Sequence, residues 1–242
     1  MIKGVTLCVR RTEAIRCAAR CLADAGVCIT EKCDPDVTHV LLPVPSFSQG
    51  DEYLAHLLTK LPDEVTVAGG NLYSPLLENY RSVDFLQDQQ YLAANAAITA
   101  ECALKILDKQ FGADLNRKQV LVIGWGRIGK CLAPLLKAEG ANVSVAARKE
   151  ADLRIIRDTG YIPSPLPDTA KTTHRFDVIL NTVPVLLFPQ IQTKPDCIRI
   201  ELASRPGMTG SNIYDGRGLP GKISPMKSGK LIAETFLRLC GT

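Results

Sequence analysis

Residues Gln119 to Lys149, QVLVIGWGRIGKCLAPLLKAEGANVSVAARK, constrain the fold more than any other stretch of the chain. Gln119–Ile123 is a short apolar run rich in β-branched residues, as a strand buried on both faces requires. Gly124, Gly126 and Gly129 follow at G-x-G-x-x-G spacing. The first glycine permits a tight turn, the second lets backbone approach a pyrophosphate, and the third lets a helix sit close to the strand. Leu132, Leu135 and Leu136 lie on one helical face, Gly140 ends that helix, and Asn142–Ala146 forms the next strand. A glycine triplet alone says little, but strand, turn, helix and strand in succession specify a dinucleotide-binding unit. Its phosphate cradle would be Gly124, Trp125, Gly126, Arg127, Ile128 and Gly129, with backbone N–H groups and the helix dipole facing the anion. The plain alternative is a glycine turn that holds no nucleotide.

The end of the second strand refines the cofactor. NAD-binding units place an acid about 20 residues on, against the ribose 2′-hydroxyl. Here the position is Ala147, followed by Arg148 and Lys149, and the first carboxylate is Glu150. A small residue and two cations suit a 2′-phosphate, which a guanidinium binds in bidentate fashion. NADP(H) is the expected cofactor, and a solvated basic turn is the alternative.

Among the 242 residues, 46% are hydrophobic and 22% charged, the ordinary balance of a globular protein with a real core. A net charge of +4 with no long basic run gives no electrostatic case for nucleic acid. None of the nine cysteines forms a C-x-x-C pair, so no metal site is expected. The odd cysteine count and the lack of a signal peptide point to a reducing cytoplasm. No apolar run approaches the ~20 residues that span a bilayer, so no membrane association is expected.

Ahead of the glycine turn, Val5–Val9 reads as a strand, and Thr12 caps a helix carrying Ala14, Ile15, Ala18, Ala19 and Leu22. Val27–Thr30, Thr38–Leu42 and Glu64–Ala68 read as further strands. A loop through Pro43, Pro45, Ser46, Ser48 and Gly50 precedes a short helix at Tyr53–Leu58, and another helix is predicted around Leu72–Asn79. Such alternation means a parallel sheet covered on both sides. Tyr91–Phe111 is a long alanine-rich helix leading into the nucleotide-binding unit. Beyond Lys149 the pattern gives a helix at Ala151–Thr159, a loop through Pro163, Pro165 and Pro167, and strands at Asp177–Leu180 and Cys197–Leu202. Gly216–Gly221 reads as a tight loop and Met226–Leu239 as the closing helix.

Ligands of open α/β sheets lie beyond the carboxyl ends of the strands. Asn181, Thr182, Val183 and Pro184 follow one strand there, and Ser204 and Arg205 follow its neighbour. Arg205 suits a substrate carboxylate, or else pairs with Glu201 or a helix C-terminus. Asn181 and Thr182 suit the nicotinamide end of the cofactor, or else simple turn chemistry. His39, His56 and His174 all fall away from these strand ends, so no histidine acid or base stands out. Asn95, Thr99 and Glu101, near the start of the long helix, read on spacing alone as an exposed or capping set.

The segments NAAITAE, VIGWGRIGK, VAARK, NTVP, ELASRPG and GLPGKISPMKSGKLIA together resemble the A subunit of dipicolinate synthase. The ASRPG and GLPG pair is the specific part. That resemblance implies an NADP-linked oxidoreductase, related to 2-hydroxyacid dehydrogenases, in a spore-forming bacterium. It would form pyridine-2,6-dicarboxylate from a dihydro- or hydroxy-tetrahydrodipicolinate precursor. It further implies a homo-oligomer that partners a flavoprotein-like B subunit, with Thr99, Glu101, Ser204 and Arg205 as the catalytic set. The expected fold is α/β in two domains. Residues 1–92 form a flavodoxin-like parallel sheet and 93–226 an NAD(P)-binding Rossmann domain, with helix 227–242 packing back on the first. The cofactor is expected in the cleft between them. Two rival functions are an NADP-dependent 2-hydroxyacid dehydrogenase and a non-catalytic NADP-binding subunit.

Overall fold

The computed structural model describes residues 2–47, 52–62, 64–187 and 191–241, so Ser48 and Gly50 of the expected loop lie outside the described residues. The chain divides into two compact units, Met1–Asn95 with Pro220–Thr242, and Ala96–Leu219. In the first unit, β1 (Val5–Cys8) leads through Thr12 to α1 (Glu13–Asp24), where the threonine oxygen accepts from Ile15 N–H. There follow β2 (Cys28–Thr30), β3 (Val37–Leu41), α2 (Glu52–Leu58), β4 (Thr66–Gly69) and β5 (Arg81–Asp84). All pairings are parallel, in the order β2-β1-β3-β4-β5. This is the doubly wound, flavodoxin-like order.

Two expectations for this unit need correction. The helix predicted around Leu72–Asn79 is only a 3-10 turn at Pro75–Leu77, capped by Ser74. Pro75 lacks the N–H that a longer helix would use, and it disfavours helical backbone just before it. Strand β5, unforeseen, is a short polar edge whose first two residues are exposed. Edge strands carry little of the apolar alternation that marks central ones.

Helix α3 (Gln89–Phe111) carries the chain into the second unit. There β6 (Gln119–Ile123), α4 (Arg127–Ala138), β7 (Asn142–Ala147), α5 (Glu150–Asp158), β8 (Ile162–Pro165), α6 (Leu166–Thr172), β9 (Val178–Asn181), β10 (Ile198–Glu201) and β11 (Ile213–Asp215) follow in turn. The parallel sheet runs β8-β7-β6-β9-β10-β11, the Rossmann order. The expected proline loop is instead strand β8 and helix α6. Proline is tolerated at a sheet edge, where its missing N–H breaks no ladder, and Pro167 sits in a first helical turn. Strand β11, at the opposite edge, is also unforeseen. Nor is GRGLPG a loop throughout, since α7 (Leu219–Ile223) begins within it.

Helix α8 (Pro225–Cys240) returns to the first unit and lies on α1. Ile232, Ala233 and Phe236 join Ala14, Ile15 and Ala18 in one core. A Cβ on Gly229 would come within 2.5 Å of Cys17 Cβ and 2.6 Å of the Ala14 carbonyl oxygen, so glycine sets how closely these helices approach. Burial pushes the thiol of Cys8 up to about 12 and those of Cys197 and Cys240 up to about 11. These cysteines are protonated apolar packing groups.

Candidate functional site

The second unit's strand order reverses between β6 and β9. Chain leaving β6 builds the sheet through β7 and β8, whereas β9, β10 and β11 extend it the other way. Loops after the two strands diverge there and leave a crevice beyond their carboxyl ends. The glycine turn follows β6. Gly124 has φ +106°, and a Cβ on it would lie 2.5 Å from Thr182 Oγ1 and 2.7 Å from Val183 Cγ2. A Cβ on Gly129 would lie 2.0 Å from the Gly124 carbonyl oxygen, which excludes any side chain at the start of α4. Gly126 differs from both. Nothing stands within 4 Å of a Cβ built there, and its own backbone is extended at φ −85°.

Gly126 therefore borders open space just where α4 begins. It is the N-cap residue and provides no side-chain cap to the N–H groups of the first turn, those of Arg127, Ile128 and Gly129. Those donors and the positive end of the helix dipole favour an anion. A phosphate cradle that a Cβ would fill fits these residues. Trp125, between the glycines, is half-buried. Its ring stands 5.9 Å from that of Tyr161 and 6.0 Å from Lys130 Nζ, and its indole N–H has no acceptor among the described residues.

At the end of β7, Ala147 is buried while Arg148 and Lys149 are exposed. Neither side chain makes an ion pair or hydrogen bond with another described residue. The charges available to an anion beyond the strand are therefore unspent.

Across the switch point the turn after β9 is built from side-chain hydrogen bonds. Thr182 Oγ1 donates to the Ile123 carbonyl at 2.8 Å, tying this turn to the strand beneath the glycines. Asn181 is fully buried. Its Oδ1 accepts from Val183 N–H at 3.1 Å, and its Nδ2 donates to the Val183 carbonyl at 3.0 Å and to Glu201 Oε1 at 2.8 Å. Asn181 thus shapes the turn from inside, and the solvent-accessible part of the candidate cofactor set is half-buried Thr182 and Val183 and exposed Pro184.

Glu201 is the residue whose role sequence reasoning missed. It ends β10 at 4% exposure. Besides the Asn181 amide, its carboxylate accepts from Ala203 N–H at 3.1 Å, Gly207 N–H at 2.8 Å and Met208 N–H at 3.2 Å. Four donors spread over both oxygens satisfy a charge that burial would otherwise make costly. A signal existed: an acid closing an apolar strand, IRIE, has to find donors nearby. Glu201 does not pair with Arg205. Ser204 and Arg205 are exposed at the tip of the loop, with no hydrogen-bond or ion-pair partner among the described residues.

The remaining candidates, Thr99 and Glu101, stand on α3, where Thr99 is buried and Glu101 half-buried. Residues two apart on a helix do not share a face, so the two side chains diverge rather than converge on one ligand. Each already has an interacting neighbour. The structure thus gathers the glycine turn, Thr182 and Val183 directly, and joins Asn181 to the Ser204–Arg205 loop through Glu201. His39 lies in β3 and His56 in α2, both in the first unit, and His174 lies in a 3-10 turn at Thr173–Arg175, ahead of β9. Among the described residues no group of three or more His, Cys, Asp or Glu could hold a metal ion. No described helix is long and apolar enough to cross a membrane.

Sheet order, glycine turn and switch point define an α/β protein with the architecture of the dinucleotide-binding dehydrogenases. No family model matches the chain. Among curated proteins, the A subunit of dipicolinate synthase from Bacillus subtilis (strain 168) is 30% identical over 156 residues, which are 60% of this chain and 52% of that protein. The matched stretch is thus about half of that relative's length. Among solved structures, the dipicolinate synthase A subunit from Bacillus halodurans superposes with TM-score 0.80 at 22% identity, covering 99% of this chain and 96% of that one. A transhydrogenase from Sinorhizobium meliloti superposes with TM-score 0.68 at 13% identity, covering 90% of this chain and 78% of that one. At such identities the superpositions show a shared fold. The resemblance to this dipicolinate synthase component, carried by the sequence motifs, is found again in sequence over those 156 residues, and the fold is shared.

Proposed function

We propose that this chain is an NADP(H)-dependent oxidoreductase subunit of the dipicolinate synthase kind, forming pyridine-2,6-dicarboxylate from a dihydro- or hydroxy-tetrahydrodipicolinate precursor together with a second subunit. The observation that carries the reading is the glycine turn at the switch point, with Gly126 open on its ligand side. In this reading the N–H groups of Arg127, Ile128 and Gly129 hold the pyrophosphate. Arg148 and Lys149 take the 2′-phosphate, which only NADP(H) carries. Thr182, Val183 and Pro184 flank the nicotinamide half, and Arg205 takes a substrate carboxylate through its planar fork. When bound, the nicotinamide supplies hydride acceptance or donation, and the protein contributes binding and orientation.

The chain's one tryptophan, Trp125, lies in the glycine turn and so reports on cofactor binding by its fluorescence. NADPH is expected to quench it at lower concentration than NADH. Changing both Arg148→Ala and Lys149→Ala should shrink that preference by roughly ten- to a hundredfold, the worth of one or two charge-assisted contacts. Equal affinity of the parent protein for both cofactors would remove the 2′-phosphate assignment. Turnover of the precursor then decides between enzyme and binding subunit, since cofactor binding without turnover favours the latter. A 2-hydroxyacid dehydrogenase is the weaker reading, because none of the three histidines lies in the loops that follow β6, β9 and β10.

A further inference from the structure

The Glu201 carboxylate lies between the two loops that the proposed function assigns to cofactor and to substrate. On one side it holds Asn181, whose amide also closes the turn at Val183. On the other it pins both ends of the loop that carries Arg205, through Ala203 N–H at the start and Gly207 and Met208 N–H at the finish. Packing tightens the join. A Cβ on Gly207 would fall 2.4 Å from Asn181 Nδ2 and 2.5 Å from the Val183 carbonyl oxygen, so the loop's return rests directly on the cofactor-side turn. Leu187 N–H also donates to the Gly207 carbonyl at 3.2 Å. Between the pinned ends only Ser204, Arg205 and Pro206 are exposed.

We infer that Glu201 is a positioning residue that makes the Asn181–Pro184 turn and the Arg205 loop one rigid rim, so that a cofactor ordering the turn also orders Arg205 for an anionic ligand. This inference rests on the proposed function. Its physical basis is that a shared buried carboxylate leaves neither loop an independent resting position. Moving one loop strands donors of the other in a dry site, at the cost of unmade charged hydrogen bonds. A ligand that stiffens one loop therefore lowers the ordering cost for a ligand on the other, and the effect is reciprocal.

The test measures binding of pyridine-2,6-dicarboxylate by calorimetry, with and without saturating NADP+, in the parent protein and in Glu201→Gln. Glutamine keeps the shape but turns one oxygen into a donor that faces the donors of either the Asn181 side or the Gly207 side. In the parent, NADP+ should tighten dicarboxylate binding at least about fivefold, the lower end of ordinary coupling between sites. In Glu201→Gln that factor should fall close to one, and amide exchange at Gly207 and Met208 should quicken. The glycine turn, which Glu201 does not touch, should still bind NADP+. Should Glu201→Gln fail to fold, Asn181→Ala removes the bridge while leaving Glu201 its three backbone donors, and the same loss of coupling is expected. A variant that retains the parent's coupling factor overturns the positioning role alone. A parent protein that binds NADP+ and dicarboxylate without coupling does so too. A parent that binds no NADP+ overturns the proposed function, and this role falls with it.

Discussion

The three glycines of the turn are required for different reasons, and substitutions separate them. Gly129 meets the Gly124 carbonyl oxygen at 2.0 Å from a built Cβ, so Gly129→Ala must push α4 off the sheet. That change should cost about 1–3 kcal/mol or more, as overpacking does. Gly126 meets nothing within 4 Å, so Gly126→Ala should leave the melting temperature without cofactor within a degree or two of the parent. Its methyl group would nonetheless stand where a pyrophosphate must approach, so cofactor affinity should fall at least tenfold. Thermal unfolding and a Trp125 fluorescence titration give both quantities. A Gly126→Ala variant that melts early and binds normally would return the turn to a purely structural role. The tight turn at Gly124 and the close helix approach at Gly129 were legible from spacing because backbone sterics alone set them. The role of Glu201 was not, because its burial depends on a loop folding back over six residues, which no local pattern records.

At the scale of elements, the long periodic segments were read nearly to the residue, and the misses cluster at edges. The interiors of β6, α1, α4 and α8 follow from apolar spacing and caps. Strands β5, β8 and β11 are short edges with polar or proline-containing sequences, and their pairing is imposed by the neighbouring strand. How elements are tied together is equally hard to see in sequence. Arg238 of α8 donates to both oxygens of Asp88, at 2.6 and 3.2 Å, and Asp88 also accepts from Tyr91 N–H at the start of α3. The Arg238 hydrogen bond, then the Tyr91 N–H, hold the Asp88 carboxyl below its ordinary range. A depressed folded-state pKa means a contribution that is full above the unfolded value near ~3.9 and lost as pH falls through the lower folded one. Asp88→Asn should thus cost about 1 kcal/mol at pH 6, the usual worth of a cap and an exposed ion pair. The difference from the parent should shrink steadily below about pH 4. Urea unfolding at several pH values measures it, and a gap that stays constant down to pH 3 would show that Asp88 acts through shape and not charge.

For the whole molecule, alternating strands and helices made two parallel α/β sheets legible, and the glycine turn marked which of them follows the Rossmann order. The first unit is closed by the last helix, α8, which lies far from it in chain order. Ile232, Ala233 and Phe236 of α8 are at most 2% exposed and share one core with Ile15 and Leu22 of α1 and with Phe85. Removing α8 by ending the chain at Ser224 would uncover that core. Losing several large buried side chains costs on the order of 5 kcal/mol or more, comparable with the entire stability of a domain. The second unit, Ala96–Leu219, keeps its six-stranded sheet and every residue of the glycine turn in such a chain. Limited proteolysis of the shortened protein should therefore cut rapidly within residues 2–95 and spare a fragment that begins near Ala96. That fragment should still show Trp125 quenching by NADPH, because Gly124–Gly129, Arg148, Lys149 and Thr182 all lie inside it. If the fragment is degraded as fast as the rest, the second unit depends on the first for its stability. If nothing is cut, α8 contributes far less to the first core than its burial indicates.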